Sequence, residues 1–428
     1  MNLLSRNLSL VDIGTGNFLQ LIAGKFKETL EKPEGVPTIR TSVGQAEKEI
    51  IGIILLNLGG PDSLRAVKPF LYNLFSDRKI IRLGPAIFQK PIAWLISSLR
   101  SRKTEKLYSL IGGRSPILDI TQEQAVALET ALNQQSVCNQ SAVGSQSAIR
   151  GQSADNSEQP AVDSHQSSDN RLEPPPPIPP PARVGVARMK FKVYIGMRYW
   201  HPLIEEVVPA ISRDGVKKLV ALSMYPHYSL ATAGSSMSRL MEIIEEYPIE
   251  VLSISSWHDH PLYIEALTDV IKRGLDSFTS DSGKMGTEGL KDIQVLFSAH
   301  NLPESLIKEG DPYVYQVRGT VKEVVKRLHI KWSLSYQSKS GPVKWLEPST
   351  EETLKRFANL GYKNILLVPI SFVSDHIETL YEIDILYKDM ATQLGLVLKR
   401  VDALNTHPIF IQALQGMVMS SVKEKGWI

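Results

Sequence analysis

Short, unbroken apolar runs punctuate this chain and leave it few folds to choose from. Residues 50–58, 191–196, 218–224, 251–255, 292–297 and 364–370 are each too short for a helix and too continuously apolar for a strand with one wet face. Such runs read as strands of parallel sheets, buried on both sides. Helical stretches alternate with them at 203–213, 262–275 and 313–328. A further helix is expected at 121–132, with Thr121 as a cap and Ala125, Leu128 and Leu132 on one face. Strands alternating with helices give βαβ units. The expected fold is therefore α/β, with two doubly wound, Rossmann-like parallel-sheet domains facing one another across a cleft.

The chain has 428 residues, 43% of them hydrophobic, which is enough for two domains with substantial cores. A net charge of +3 with no basic stripe argues against nucleic acid as a partner. One cysteine, Cys138, excludes an intrachain disulfide and any multi-cysteine zinc or iron-sulfur site carried by this chain alone. A reducing compartment is the natural reading. No apolar run reaches the roughly 20 residues that a membrane-spanning helix needs.

Residues 1–48 read as a poorly ordered extension; they lack a clear secretory cleavage site, and an organellar address there stays open. Domain one is expected over 49–225, domain two over 226–402, and a C-terminal helix over 403–428 that packs back on domain one. Domain one is interrupted at 133–182, where Gln, Ser, Asn and Pro dominate and the triplets at Gln140, Gln146 and Gln152 repeat imperfectly before a proline run. This segment reads as a disordered linker with a stiff polyproline end, or alternatively as a ligand for a domain that binds proline-rich peptides.

Chemistry concentrates where two apolar runs stop. Phe297-Ser298-Ala299-His300 closes one, and Ser374-Asp375-His376-Ile377-Glu378 follows another. In open parallel sheets, ligands bind beyond the carboxyl ends of the strands, so an imidazole and a carboxylate from distant parts of the sequence meet at one cleft edge. His300 there can take a proton or bind a metal, or it can simply bond the turn backbone. Glu378 can complete a capping box with Ser374 or Asp375 as the helix cap. Glu378 and Glu382, four residues apart on one helical face, repel unless something positive passes between them; a solvated face is the rival reading. Mixed imidazole and carboxylate donors suit Fe(II), Zn(II) or Co(II) of borderline softness. Residues 80–99 are apolar and aromatic but interrupted by Gly84, Pro85 and Pro91, and basic residues flank them. They suit a lid over an apolar ligand, a patch resting on a membrane, or an ordinary core helix.

With these residues in view, the chain resembles the ferrochelatases, enzymes that insert ferrous iron into a porphyrin. The resemblance spans about 50–422 apart from the linker. It rests on Leu56-Asn57-Leu58-Gly59-Gly60-Pro61, Ile111 to Pro116, Gly196 to Pro202, Tyr225-Pro226-His227-Tyr228-Ser229, Ser298-Ala299-His300, Tyr336-Gln337-Ser338 and Ser374 through Asp384. The resemblance implies that His300 and Glu378 are the catalytic and metal-handling pair. It further implies that Leu58, Arg198 and Tyr199 contact the porphyrin, and that 80–99 is an active-site lip suited to peripheral membrane contact. Asp375, His376 and Glu382 would then form a path for metal or protons.

The implied substrates are protoporphyrin IX and Fe(II), giving haem b and two protons; a coproporphyrin III enzyme and a non-catalytic porphyrin or haem carrier of the same fold are the alternatives. Fe(II) is a substrate here, no cofactor is expected to stay bound, and no iron-sulfur cluster is expected. A cytoplasmic protein that meets membrane at its surface is the implied location. Two departures from the family pattern stand out. Leu386 occupies a position where many relatives extend the acidic row, and Arg114 replaces the third glycine of the GGGSP loop.

Overall fold

The computed structural model describes residues 49–80, 84–149, 189–282, 293–339, 341 and 343–428. The first sheet opens with β1 (Ile50–Asn57), followed by α1 (Val67–Ser76), α2 (Gln89–Ser109) and α3 (Ile117–Ile149). After β2 (Lys190–Met197), α4 (Ile204–Arg213), β3 (Lys218–Ser223) and α5 (Ser235–Ile244), the sheet closes with β4 (Glu250–Ile254). A long α6 (Pro261–Ser282) leads to the second sheet, which takes β5 (Ile293–His300), α7 (Glu304–Lys308), α8 (Tyr313–Arg327), β6 (Lys331–Gln337), α9 (Thr350–Asn359) and β7 (Asn364–Pro369). A π-helical segment (Glu378–Tyr387), α10 (Lys388–Gln393), β8 (Val397–Arg400) and α11 (Pro408–Glu424) complete the chain.

Both sheets have four parallel strands, in the orders β2-β1-β3-β4 and β6-β5-β7-β8. Each is doubly wound about its first strand, as the apolar runs imply. In β1, successive side chains leave by opposite faces. Ile51, Ile53 and Leu55 enter the main core, whereas Ile54 and Leu56 pack on the other face with Val208, Leu219 and Leu240. Gly52 lies on that second face, where a Cβ would stand 2.9 Å from both Leu219 and Val216. A side chain there would push one of these two aside.

The main core is common to both sheets. Ile53 and Val220 of the first, Val295 and Phe297 of the second, and Ile271, Phe410 and Leu414 from α6 and α11 belong to one buried cluster. Burying each such apolar side chain contributes about 1.5–3 kcal/mol.

Several boundaries differ from those read in the sequence. β4 pairs with β3, so the first sheet extends past residue 225 to Ile254. Periodicity marks a strand but does not say which sheet it joins. α3 continues through Ile149, into the stretch read as the start of the linker. Its Gln- and Ala-bearing composition contains no proline there and tolerates a helix. The rest of the linker and residues 1–48 lie outside the described residues. α11 lies against α3, where the Gln415 amide donates to the Ala131 carbonyl at 2.7 Å, and Lys425 pairs with Glu250 at 3.0 Å.

α2 is turned the opposite way from a core helix. Its buried face is the row Gln89, Ala93, Ser97 and Ser101, with Tyr108 at its end, while Trp94, Leu95 and Leu99, and Phe88 just before it, are 51–73% exposed. Small residues allow close packing on α1, and the bulky apolar ones are left facing outward. Among the described residues, no helix is long and apolar enough to cross a membrane.

Candidate active site

The carboxyl end of β5 delivers His300, and the chain leaving β7 delivers Glu378. They meet: His300 Nδ1 lies 2.8 Å from Glu378 Oε2. The backbone beneath the histidine is clamped. Its N–H donates to Ser371 Oγ at 3.1 Å, its carbonyl accepts from the Tyr313 hydroxyl at 2.9 Å, and that hydroxyl lies 2.6 Å from Ser371 Oγ.

Glu378 opens a π-helical segment, not the α-helix that the sequence suggests, and Ile377 at its cap supplies no side-chain bond. The carboxylate therefore completes no capping box and is spent on His300 and Ser338. Such i→i+5 turns are rare and frequently mark functional sites. Glu382, four residues on, accepts from the Ser338 N–H at 2.9 Å and from the Tyr387 hydroxyl at 2.7 Å through Oε1. The Ser338 hydroxyl donates to Glu378 Oε2 at 2.9 Å and also makes a short contact with Glu382 Oε2.

These contacts set the protonation states. Burial pushes Glu378 up, but the charge and hydrogen bond of His300, aided by His376 and Ser338, bring it down to about 2. Burial pushes the His300 imidazole down, and the charge and hydrogen bond of Glu378, with Glu382 behind, reverse the sign and raise it. Glu382 is raised, first by burial and then by the Glu378 charge. The two neighbouring acids are thus shifted in opposite directions.

His376 is buried, with Nδ1 3.0 Å from the Ser374 carbonyl, and burial lowers its pKa. The Phe372 ring makes edge contacts with both imidazoles, its centroid 4.2 Å from His376 and 6.0 Å from His300. Asp375 faces a different set of partners. Its Oδ1 accepts from Arg400 at 3.0 Å and Thr379 at 2.9 Å, and its Oδ2 from Asn405 at 3.0 Å. This carboxylate is committed to anchoring the chain ahead of the π-helical segment.

The other half of the cleft comes from the first sheet. Leu58 follows β1 and lines a cavity with Met224, Tyr225, Phe372 and His376. The Tyr199 N–H donates to the Leu58 carbonyl at 3.0 Å, which ties the end of β2 to the same edge. Arg198 Nη2 and the Tyr199 and Ser235 hydroxyls converge on Asp77 Oδ2 at 2.7, 2.8 and 2.6 Å. Burial pushes Asp77 up, yet the Ser235 bond and the Arg198 charge outweigh it and hold the carboxyl low. Asp77 also accepts the Lys79 N–H at 2.9 Å, where the chain enters the lip. The Tyr225 hydroxyl is buried without a partner among the described residues, and burial followed by the Glu378 charge raises its pKa.

His300, Glu378 and Glu382 thus form one cluster, Leu58 and His376 share one cavity, and Arg198 and Tyr199 sit in a linked but separate network. His258 and His260 are half-buried and lie outside this cluster. Sequence reading gave no role to Ser338, Asp77 or Tyr313. Ser338 appeared in the sequence only within the Tyr336-Gln337-Ser338 stretch; the structure pairs β6 with β5 so that Gln337 stands opposite His300, which puts the next residue at the site.

A family model described as Ferrochelatase matches residues 50–152 and 182–422. The ferrochelatase of Geotalea daltonii is 41% identical over 382 residues, covering 88% of this chain and 99% of that protein. That of a Synechocystis species is 41% identical over 382 residues, covering 87% of this chain and 83% of that protein. Among solved structures, SirB from Bacillus subtilis with Fe3+ aligns over 55% of this chain and 84% of its own, at TM-score 0.40 and 12% identity. Matches of the first two kinds, over nearly the whole described chain, place it in the ferrochelatase family of metal-inserting chelatases.

Proposed function

We propose that this chain inserts Fe(II) into protoporphyrin IX, releasing two protons and forming haem b. The observation that carries the reading is the 2.8 Å contact between His300 and Glu378, delivered from two strand ends to one cleft edge. A free-base porphyrin directs two N–H groups inward, so metal enters only as those protons leave. Nδ1 of His300 is engaged by Glu378, which leaves Nε2 to accept a pyrrole proton. Glu378, kept ionised, supplies an oxygen to strip water from the metal. His376 and Glu382 stand next in line to take protons away, and Asp375 holds the segment in place. Apolar contact with Leu58 and Phe372 supports a ring bent toward His300. Arg198 and Tyr199 border the porphyrin from the first sheet. The chain works without a resident cofactor, as its single cysteine favours.

The test is anaerobic absorbance of free-base porphyrin mixed with Fe(II) and the protein. Metalloporphyrin bands should grow catalytically; a spectral shift on binding with no metallated product would identify a carrier and overturn the reading. Running coproporphyrin III alongside decides the substrate, and protoporphyrin should turn over faster.

The pH dependence follows from the same pair. A base must be neutral, so activity rises with pH through the raised pKa of His300. Glu378→Gln removes the largest contribution that raises it and leaves burial, which lowers it. The acid limb of kcat/KM should therefore move to lower pH, measured over about pH 5 to 9. A limb that stays put or moves upward would contradict the coupling.

The exposed face of α2 fits an anionic membrane surface. Phe88, Trp94 and Leu99 face outward, and Lys90, Arg102 and Lys103 are exposed beside them. Apolar insertion combined with basic residues is the pattern of peripheral association, adding about 1 kcal/mol per basic residue near the surface. A cytoplasmic enzyme docked by this face would receive an apolar substrate directly. Co-sedimentation with phosphatidylglycerol vesicles should drop at least about 10-fold in a Trp94→Ser, Leu99→Ser double variant and weaken with salt. Equal binding to neutral vesicles, or no loss in the variant, would reject this surface.

A further inference from the structure

Ser338 is one of two non-glycine residues with a positive φ among the described residues, at 70°. Serine has no special tolerance for this region, and side chains held there cluster at functional sites. The other residue, Asn405 at 41°, also serves the acidic segment, since it bonds Asp375 through both its amide oxygen and its nitrogen. The left-handed turn at Ser338 has a definite result. It aims the backbone N–H at Glu382 Oε1 at 2.9 Å and brings the hydroxyl within bonding range of one oxygen from each acid.

The hydroxyl oxygen therefore bridges the two acids, beside the Ser338 N–H and Tyr387 bonds to Glu382 and the His300 contact to Glu378. Glu378 Oε2 has His300 as its other side-chain partner, so loss of the hydroxyl leaves its orientation to one bond. Gln337, one residue earlier, reinforces the placement by donating to the Glu378 carbonyl at 3.3 Å. An extended backbone at residue 338 would turn these donors elsewhere.

We propose that Ser338 is a positioning residue for metal handling: its left-handed backbone and its hydroxyl hold Glu378 square to His300 and keep Glu382 in line behind it. This rests on the reading of Glu378 as a metal-handling residue. It goes further by assigning the register of the acids to a residue on a neighbouring strand.

Glycine and alanine separate the hydroxyl from the turn. Ser338→Gly adopts the same φ freely and keeps the N–H bond to Glu382, so it removes only the hydroxyl; Ser338→Ala removes the hydroxyl and keeps the backbone cost. Both should raise the KM for Fe(II), or for Zn(II) as a probe, by about 10-fold or more, the scale of one lost bond to a charged group. The KM for porphyrin should stay unchanged. Ser338→Asn, which tolerates the turn and can donate from its amide, should recover part of the metal KM. Thermal melting confirms that each variant is folded, with the glycine variant as the reference.

If Ser338→Gly matches the parent, serine merely makes the turn and the proposal fails. A rise in porphyrin KM equal to that for metal would also overturn it, as general damage to the cleft. Glu378→Gln is assayed in parallel. If its rate depends on iron concentration as the parent's does, the metal reading itself falls; if that variant responds to iron and the Ser338 variants do not, only the positioning role is lost.

Discussion

His300→Ala lowers the insertion rate by about 10² to 10⁴-fold, the range for loss of a general base, while porphyrin binding persists. Two effects combine in this variant. The proton acceptor is gone, and Glu378 loses the foremost of the contributions that hold it ionised, so its pKa rises toward the value that burial favours. Metal capture therefore weakens together with proton removal. Stopped-flow absorbance under anaerobic conditions gives the rate, and quenching of porphyrin fluorescence or of the protein's tryptophans gives the binding. Single-turnover rates within a few-fold of the parent would remove His300 from the chemistry. Loss of porphyrin binding in step with the rate would make it a binding residue instead.

Arg400→Met should cost about 3 kcal/mol of stability, as breaking a largely buried ion pair does. Arg400 donates to both oxygens of Asp384 at 2.8 Å and to Asp375 at 3.0 Å, and its side chain is 12% exposed. Methionine keeps the apolar stem, so the charge is what is lost. Asp375 is 18% exposed and stays without its cation, whereas Asp384, at 37%, regains water. That relief holds the figure near the low end of the range. The denaturation midpoint measures it, and a change under about 1 kcal/mol would show the network to be replaceable. Turnover should fall as well, since Asp375 anchors the turn that carries Glu378.

The central strands of both sheets could be read from the sequence because parallel strands wrapped on both faces need uninterrupted apolar side chains. β6 and β8 escaped notice for the converse reason. They form the edges of the second sheet, Trp332 and Val397 are about half exposed, and their polar residues break the pattern. That His300 and Glu378 meet at one edge was legible from where two apolar runs stop. What joins them was not: the π-helical winding has no compositional mark, and Ser338 reaches the site through register with β5, a long-range fact. Asp375 shows the limit of proximity in sequence. It lies three residues from Glu378, yet besides the nearby Thr379 its partners are Arg400 and Asn405, brought in from beyond the π-helical segment and unseen by local spacing.

The shared interior decides how the protein can breathe. Separate lobes joined by a polar seam would swing apart on a hinge to admit a flat, rigid guest. Here one continuous oily filling runs from the first sheet through α6 and α11 into the second, and swinging the halves apart would expose it to water. Any movement that admits a guest is then left to side chains outside this filling, such as the exposed Phe88, Trp94 and Leu99, while the two sheets keep their places.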